Sequence, residues 1–315
     1  MQLSIIIPLL NEQDSIEELN NSIIRIVSLM KIKFEIIYID DGSFDNSWDL
    51  IKKFSIESKE VKGIKFLRNF GKSQALYAGF IESQGAVVIT MDADLQDDPN
   101  EIPNLYNKID KENFDLVSGW KKKRYDSIIF KNLPSKIFNW AARKTSGIKL
   151  NDFNCGIKAY KKIVIKKIEL NDGMHRYIPV LAKNAGFKNI SEKIVKHHPR
   201  KYGNTKYGAD RFVKGFLDLI TLWFTHKFGK RPMYFFGFIG TIMLLIGFFF
   251  SLFLGIDKLF VQKSGRLITE RPEFYIALAT MIMGSQFFLA GFLGEIILKN
   301  KKTKKHFIIS EKSNE

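Results

Sequence analysis

Two carboxylates two residues apart, in Met91-Asp92-Ala93-Asp94-Leu95-Gln96-Asp97-Asp98-Pro99, directly follow an apolar, β-branched run at residues 86–89. A strand that delivers such a pair into a turn presents hard oxygen ligands to Mg²⁺ or Mn²⁺, cations that bridge diphosphates. Asp94 together with Gln96 is the expected metal-binding pair, and Asp92 the group that orients a sugar or ribose. An Asp-x-Asp is also what an ordinary solvated turn contains. Its place after the fourth strand of an α/β pattern favours the ligand reading.

Other polar clusters occupy comparable positions. Pro8-Leu9-Leu10-Asn11-Glu12 follows a first strand-like run and Asp40-Asp41-Gly42-Ser43 a second, offering acceptors to base and ribose donors. Asn11 or Asp14 equally suits a helix cap, and Asp41-Gly42-Ser43 a plain turn. In Arg68-Asn69-Phe70-Gly71-Lys72-Ser73, which opens a third helical stretch, backbone amides and Lys72 could face a diphosphate. Further on, His198-Pro199-Arg200-Lys201-Tyr202-Gly203 and Lys206-Tyr207 precede an amphipathic stretch, where they could meet a lipid phosphate at headgroup height or simply touch the bilayer. Arg124 adds another charge to such a site or belongs to a solvated basic loop, Lys121 to Arg124.

The elements that must position these groups follow from periodicity. Residues 4–8, 34–40, 62–67, 86–91 and 115–119 are short strand-like runs, and the first four are each followed by a polar turn and a helical period. Ile16, Leu19, Ile23, Val27 and Met30 form one face of the first helix. Such βαβ units close into a mainly parallel sheet with ligands at the C-terminal strand ends.

Residues 234–254 carry no charge, and 274–298 only that of Glu295, so each matches the roughly 20 residues that span a ~30 Å hydrocarbon core. Glu295 can sit at the interface or in a helix contact. Phe212, Phe216, Leu219, Ile220 and Trp223 make an apolar stripe beside Arg211, Lys214 and Lys227, which suits an interfacial helix or packing on the soluble domain. The chain has 49 Lys+Arg against 33 Asp+Glu, and its basic clusters at 196–231 and 299–305 flank the apolar segments. That distribution predicts an integral protein of the cytoplasmic membrane with both termini cytoplasmic, in contact with the bilayer and not with nucleic acid. Small residues Gly240, Gly284, Gly291 and Gly294 permit close helix packing, and a homo-oligomer is expected. The single Cys155 excludes an internal disulfide and a Cys-rich zinc site. Met1 runs into Ile5-Ile6-Ile7 without a basic n-region, so no cleavable signal peptide is expected. No G-x-G-x-x-G follows the first strand, which disfavours a dinucleotide-dependent dehydrogenase.

In order along the chain, IIIPLLNE, YIDDGS, RNFGKSQAL, MDADLQDDP, NDFNCGIKAY, HRYIPVLAKNAGF and HHPRKYGNTKYG, followed by two apolar segments, make a specific series. Over roughly residues 3–298 it resembles the family 2 glycosyltransferases of the dolichyl-phosphate-mannose-synthase-like and bactoprenol glucosyl transferase type. The resemblance implies an α/β GT-A domain at 1–207, juxtamembrane amphipathic helices at 208–231, two transmembrane helices within 232–298 and a basic tail at 299–315. It implies an inverting transfer of sugar from a UDP- or GDP-linked donor to a polyprenyl phosphate, for envelope or surface-glycan assembly, with Mg²⁺ or Mn²⁺ as cofactor.

By the same resemblance Asp92, Asp94 and Gln96 serve the metal and donor diphosphate, and Pro8, Asn11, Glu12, Asp41 and Lys72 shape the nucleotide pocket. Arg200 and Lys206 match the phosphate-binding pattern R-x-x-G-x-S-K-Y, in which Thr205 replaces the serine and keeps a hydroxyl. His175 matches an acceptor-side position, although a plain helix-start role fits equally. Asp152 matches an aspartate near the reacting centre. A phosphate monoester, with second pKa about 6, is mostly dianionic at neutral pH. Asp152 is therefore expected to position acceptor or sugar, with general-base catalysis the lesser role, while Lys72 and the metal stabilise the departing diphosphate. The rival readings are a processive polysaccharide synthase, which lacks support because no Q-x-x-R-W signature is present, and a catalytically silent nucleotide-sugar-binding membrane scaffold.

Overall fold

The computed structural model describes residues 1–122, 139–140, 142–144, 146–170, 173–202, 221, 224, 227–229, 231–261, 266–299 and 309–313. The chain divides into two compact units, residues 1–222 with 305–315, and residues 223–304.

In the first unit, β1 (Leu3–Leu9), β2 (Phe34–Asp40), β3 (Val61–Phe66) and β4 (Val87–Thr90) alternate with α1 (Ile16–Leu29), α2 (Ser47–Glu57) and α3 (Lys72–Glu82). After α4 (Ile102–Asp110) come β5 (Leu116–Trp120), β6 (Lys158–Lys161), β7 (Ile190–Ile194) and β8 (Ile309–Ser313). They form one sheet in the order β7-β5-β6-β4-β1-β2-β3-β8. The strands β4, β1, β2 and β3 are mutually parallel, whereas β6 pairs antiparallel with both β4 and β5, and β8 antiparallel with β3.

Alternation along β1 explains why both faces must be covered. Leu3, Ile5, Ile7 and Leu9 pack with α1, α2 and α4, while Ile6 packs with α3 on the other face. In α1 the buried residues are Ile16, Leu19, Asn20, Ile23, Ile26 and Val27, the stripe that helical spacing demands. Gly79 lets α3 lie close on the sheet, since a Cβ there would stand 2.4 Å from Ile6 Cγ2.

The chain runs outward from β1 through β2 to β3, then returns to place β4 on the opposite side of β1. The crevice opened by that reversal lies at the C-terminal ends of β1 and β4, where ligands bind in open α/β sheets. Leu9 pairs with Asp40 and Ile6 with Thr90, so Glu12, Asp41, Asp92 and Asp94 are delivered to this one edge.

At the far edge, β8 covers β3, Glu311 accepts a 2.6 Å hydrogen bond from Trp48 Nε1, and Lys312 pairs with Glu82.

The second unit holds two helices, Met233–Ile256 and Pro272–Lys299. Both are long and apolar enough to cross a membrane, with mean hydropathies of 2.4 and 1.8 over spans beginning at Met233 and Pro272. A Cβ on Gly240 would stand 2.6 Å from the Gly284 carbonyl oxygen, and one on Gly247 2.8 Å from that of Ala277. The glycines therefore permit backbone-to-backbone contact, and the order of these pairs makes the hairpin antiparallel. Arg271 Nη1 and Asp257 Oδ2, 2.8 Å apart, join the two ends of its connecting segment. The amphipathic stretch expected at 208–231 falls largely outside the described residues.

Candidate active site

The loop after β4 is held from below by close packing. Gly156 lies against Asp92 so tightly that a Cβ would be 2.4 Å from Oδ2. Thr90 Oγ1 donates to the Gly156 carbonyl oxygen at 2.9 Å, joining the end of β4 to the segment before β6. Asp92 accepts a hydrogen bond from Lys72 Nζ, which projects from the first turn of α3. Burial alone would raise the Asp92 pKa, but Lys72, Lys121 and Lys158 outweigh it and bring it down to about 2. Two of these cations are deep in the protein: Lys121 Nζ is 2.7 Å from Asp97 Oδ1, and Lys158 Nζ donates to the Cys155 carbonyl oxygen.

Asp94 has the opposite balance. Burial, then the negative charges of Asp92 and Asp97, push its carboxyl up to about 6, against the opposing pull of Arg200. Arg200 Nη2 donates to Asp94 Oδ2 at 2.6 Å. The two aspartates therefore have separate cationic partners, Lys72 for one and Arg200 for the other.

The remaining walls come from the ends of β1, β2 and β3. Asp41 Oδ1 and Oδ2 accept from Phe70 and Gly71 backbone amides at 2.7 and 2.9 Å, fixing the loop that leads into α3. Burial raises the Asp41 pKa to about 6 despite these two bonds. Gly42 has φ 76°, and a Cβ there would stand 2.5 Å from the Arg68 carbonyl carbon, so this tight turn excludes a larger residue. Pro8, Glu12, Asp41, Gly71, Lys72, Ser73, Asp92, Asp94, His175 and Arg200 all line one cavity of about 630 Å³.

Other sequence-nominated residues stand elsewhere. Asn11, with φ 51°, receives the Phe44 amide on its side chain and donates its own amide to Ser43 Oγ, so it braces the β1 and β2 loops. The Gln96 amide nitrogen lies 3.5 Å from the His198 carbonyl oxygen, and Gln96 is not a cavity-lining residue. Asp152 is 1% exposed, accepts from the Asn154 amide at 3.0 Å and does not line the cavity. Arg124 and Lys206 lie outside the described residues. Conversely, Lys121 and Lys158 were not singled out as site residues, because nothing in spacing marks a lysine as buried beneath a carboxylate. The sole available signal was their position, one just after a strand and the other inside NDFNCGIKAY.

Among the described residues, no group of three or more His, Cys, Asp or Glu side chains is placed to hold an ion. Asp92 and Asp94 nevertheless fit a Mg²⁺ or Mn²⁺ that draws its remaining ligands from a diphosphate and water, the usual arrangement for these cations. The cavity thus combines two carboxylates, a lysine at a helix N-terminus and an arginine, a set suited to a nucleoside diphosphate leaving group.

A profile of "Glycosyl transferase family 2" matches residues 4–169. The chain is 32% identical over 301 residues to the dodecaprenyl-phosphate galacturonate synthase of Rhizobium johnstonii, covering 95% of this chain and 88% of that one. It is 34% identical over 296 residues to the undecaprenyl-phosphate 4-deoxy-4-formamido-L-arabinose transferase of Shewanella sediminis, covering 94% and 86%. In fold it is similar to the glucosyl-3-phosphoglycerate synthase of Mycobacterium tuberculosis crystallised with Mn²⁺, UDP-glucose and glycerol 3-phosphate. The TM-score is 0.53 at 18% identity, covering 71% of this chain and 79% of that one. These matches agree with the expected GT-A architecture, and the chain belongs to glycosyl transferase family 2.

Proposed function

We propose that the chain is a polyprenyl-phosphate glycosyltransferase, moving a sugar from a UDP- or GDP-linked donor to a polyprenyl phosphate at the cytoplasmic face of the inner membrane. The carrying observation is the joint placement of Lys72, Asp92, Asp94 and Arg200 around one 630 Å³ cavity, in a chain that also has two helices long enough to span a bilayer. Both relatives above are named for polyprenyl-phosphate sugar chemistry.

In this reading Asp41 and Glu12 receive the nucleoside, and Lys72 neutralises the diphosphate. Asp92 and Asp94 would hold a Mg²⁺ or Mn²⁺, which when bound supplies positive charge to the departing diphosphate. Arg200 is the cavity residue that offers a planar, two-pronged donor to the acceptor phosphate. That phosphate needs no strong base, so its placement in line with the anomeric carbon carries the reaction and inverts it. The buried position of Asp152 supports a structural role in holding the 152–154 turn over direct proton transfer. The basic flanks of the apolar segments support cytoplasmic termini.

The test is transfer itself, using detergent-solubilised protein, Mn²⁺, undecaprenyl phosphate and a panel of labelled UDP- and GDP-sugars. Label in the lipid phase supports the assignment. Donor binding without transfer across the panel would favour the scaffold.

A further inference from the structure

His175 follows Gly173, whose φ of 75° turns the chain into the short helix Met174–Tyr177 and brings the imidazole against the start of α3. There, Ser73 makes two contacts with one residue. Its Oγ accepts the His175 backbone amide at 3.1 Å and lies 3.0 Å from His175 Nδ1.

The hydroxyl has one hydrogen to place. Were Nδ1 protonated and donating, the hydrogen of Ser73, a residue only 2% exposed, would have no acceptor among the described residues. Donation from Ser73 Oγ to Nδ1 satisfies both groups and leaves the proton of the neutral ring on Nε2. The ring stays neutral because burial, followed by the charges of Lys72, Arg176 and Lys158, holds its pKa well below the usual histidine value.

We propose that His175 contacts the transferred sugar, presenting Nε2–H to a sugar hydroxyl in an orientation set by Ser73. Two observations point to a sugar hydroxyl. His175 and Ser73 line the same cavity as Lys72, Asp92 and Asp94, so His175 borders the donor site. A neutral donor placed among cations adds little to the neutralisation of a diphosphate but matches an uncharged oxygen beside it. Interactions of this kind discriminate strongly, because a substrate lacking the matching hydroxyl leaves a buried donor unpaired. His175 is thus a specificity-determining residue, a role distinct from the acceptor-side position implied by the sequence resemblance.

This inference rests on the donor-site reading above, and the two fail separately. The full-length protein is titrated calorimetrically with UDP and UDP-glucose, and with GDP and GDP-mannose, in Mn²⁺. The pair bound by wild type is then measured for the variants. His175→Ala should weaken the nucleotide-sugar about tenfold, near the upper end for one neutral hydrogen bond, while the nucleoside diphosphate changes less than about twofold. His175→Gln, whose terminal amide can donate near the Nε2 position, should recover most of the loss. Ser73→Ala should weaken sugar-dependent affinity about threefold by freeing the tautomer. Equal losses for diphosphate and nucleotide-sugar, or no loss for either, would overturn the role of His175. Failure of wild type to bind any of the four would overturn the donor-site reading and the inference with it.

Discussion

Replacing Arg200 with alanine separates two jobs that one side chain performs. Arg200 Nη2 stands 2.6 Å from Asp94 Oδ2, with the two side chains 24% and 13% exposed. A cation binding at Asp94 must displace this guanidinium or share the carboxylate with it. An exposed pair is worth about 0.2–1 kcal/mol, and breaking a buried one costs about 3–5 kcal/mol. The partial burial here places the competition at about 1–2 kcal/mol, roughly 5- to 30-fold in an equilibrium constant. At pH 8, above the Asp94 pKa of about 6, a proton no longer competes for the carboxylate. Arg200→Ala should then bind Mn²⁺ about tenfold more tightly in the presence of saturating UDP, read from the free-Mn²⁺ EPR signal. The same variant should use undecaprenyl phosphate at least tenfold less efficiently. Effects of opposite sign are what a shared counter-ion requires. A loss of Mn²⁺ affinity would refute the competition and make Arg200 an organiser of Asp94.

Asp94→Asn should remove transfer while leaving the thermal midpoint within a few degrees; wild-type turnover would remove Asp94 from the metal site. Because burial and its acidic neighbours raise Asp94 to about 6, cation binding requires loss of a proton near that pH. Apparent Mn²⁺ affinity should therefore fall about tenfold per unit below pH 6 and level off above pH 7, and a flat EPR titration from pH 5 to 8 would contradict the assignment. Lys72→Met should lower kcat about 10²-fold or more, the scale for removing one charge-stabilising donor, with steady-state kinetics as the check. Gly156→Ala places a methyl 2.4 Å from Asp92 Oδ2 and should reduce transfer more than tenfold; an unaltered rate would show that the Asp92 position is not critical.

Much of this architecture was legible because it depends on local periodicity. The run at 34–40 became β2 without adjustment, and the predicted apolar face of α1 is buried except for Met30 at its C-terminal end. The polar clusters at successive strand ends converged because the four strands carrying them are parallel. Side-chain direction was less legible. Asn11, Gln96 and Asp152 have suitable chemistry, yet their bonds to Phe44, His198 and Asn154 turn them to bracing loops.

Burial of charge is set by distant partners and was not legible either. Glu35 is fully buried because Ser4 Oγ and the Gln84 amide donate to it at 2.6 and 2.7 Å and Lys62 lies 3.1 Å away. Likewise β8 depends on contacts with β3 and on the Trp48–Glu311 bond across 263 residues, which no local pattern in a basic tail announces.

Incorporation of labelled sugar into undecaprenyl phosphate tests the account most directly, with wild type and Asp94→Asn compared across UDP- and GDP-sugars in Mn²⁺ and in EDTA. The account predicts one lipid-linked product, formed by wild type in Mn²⁺ and lost in the variant and in EDTA. Equal product from wild type and Asp94→Asn, or none from any donor that the wild type binds, would contradict it.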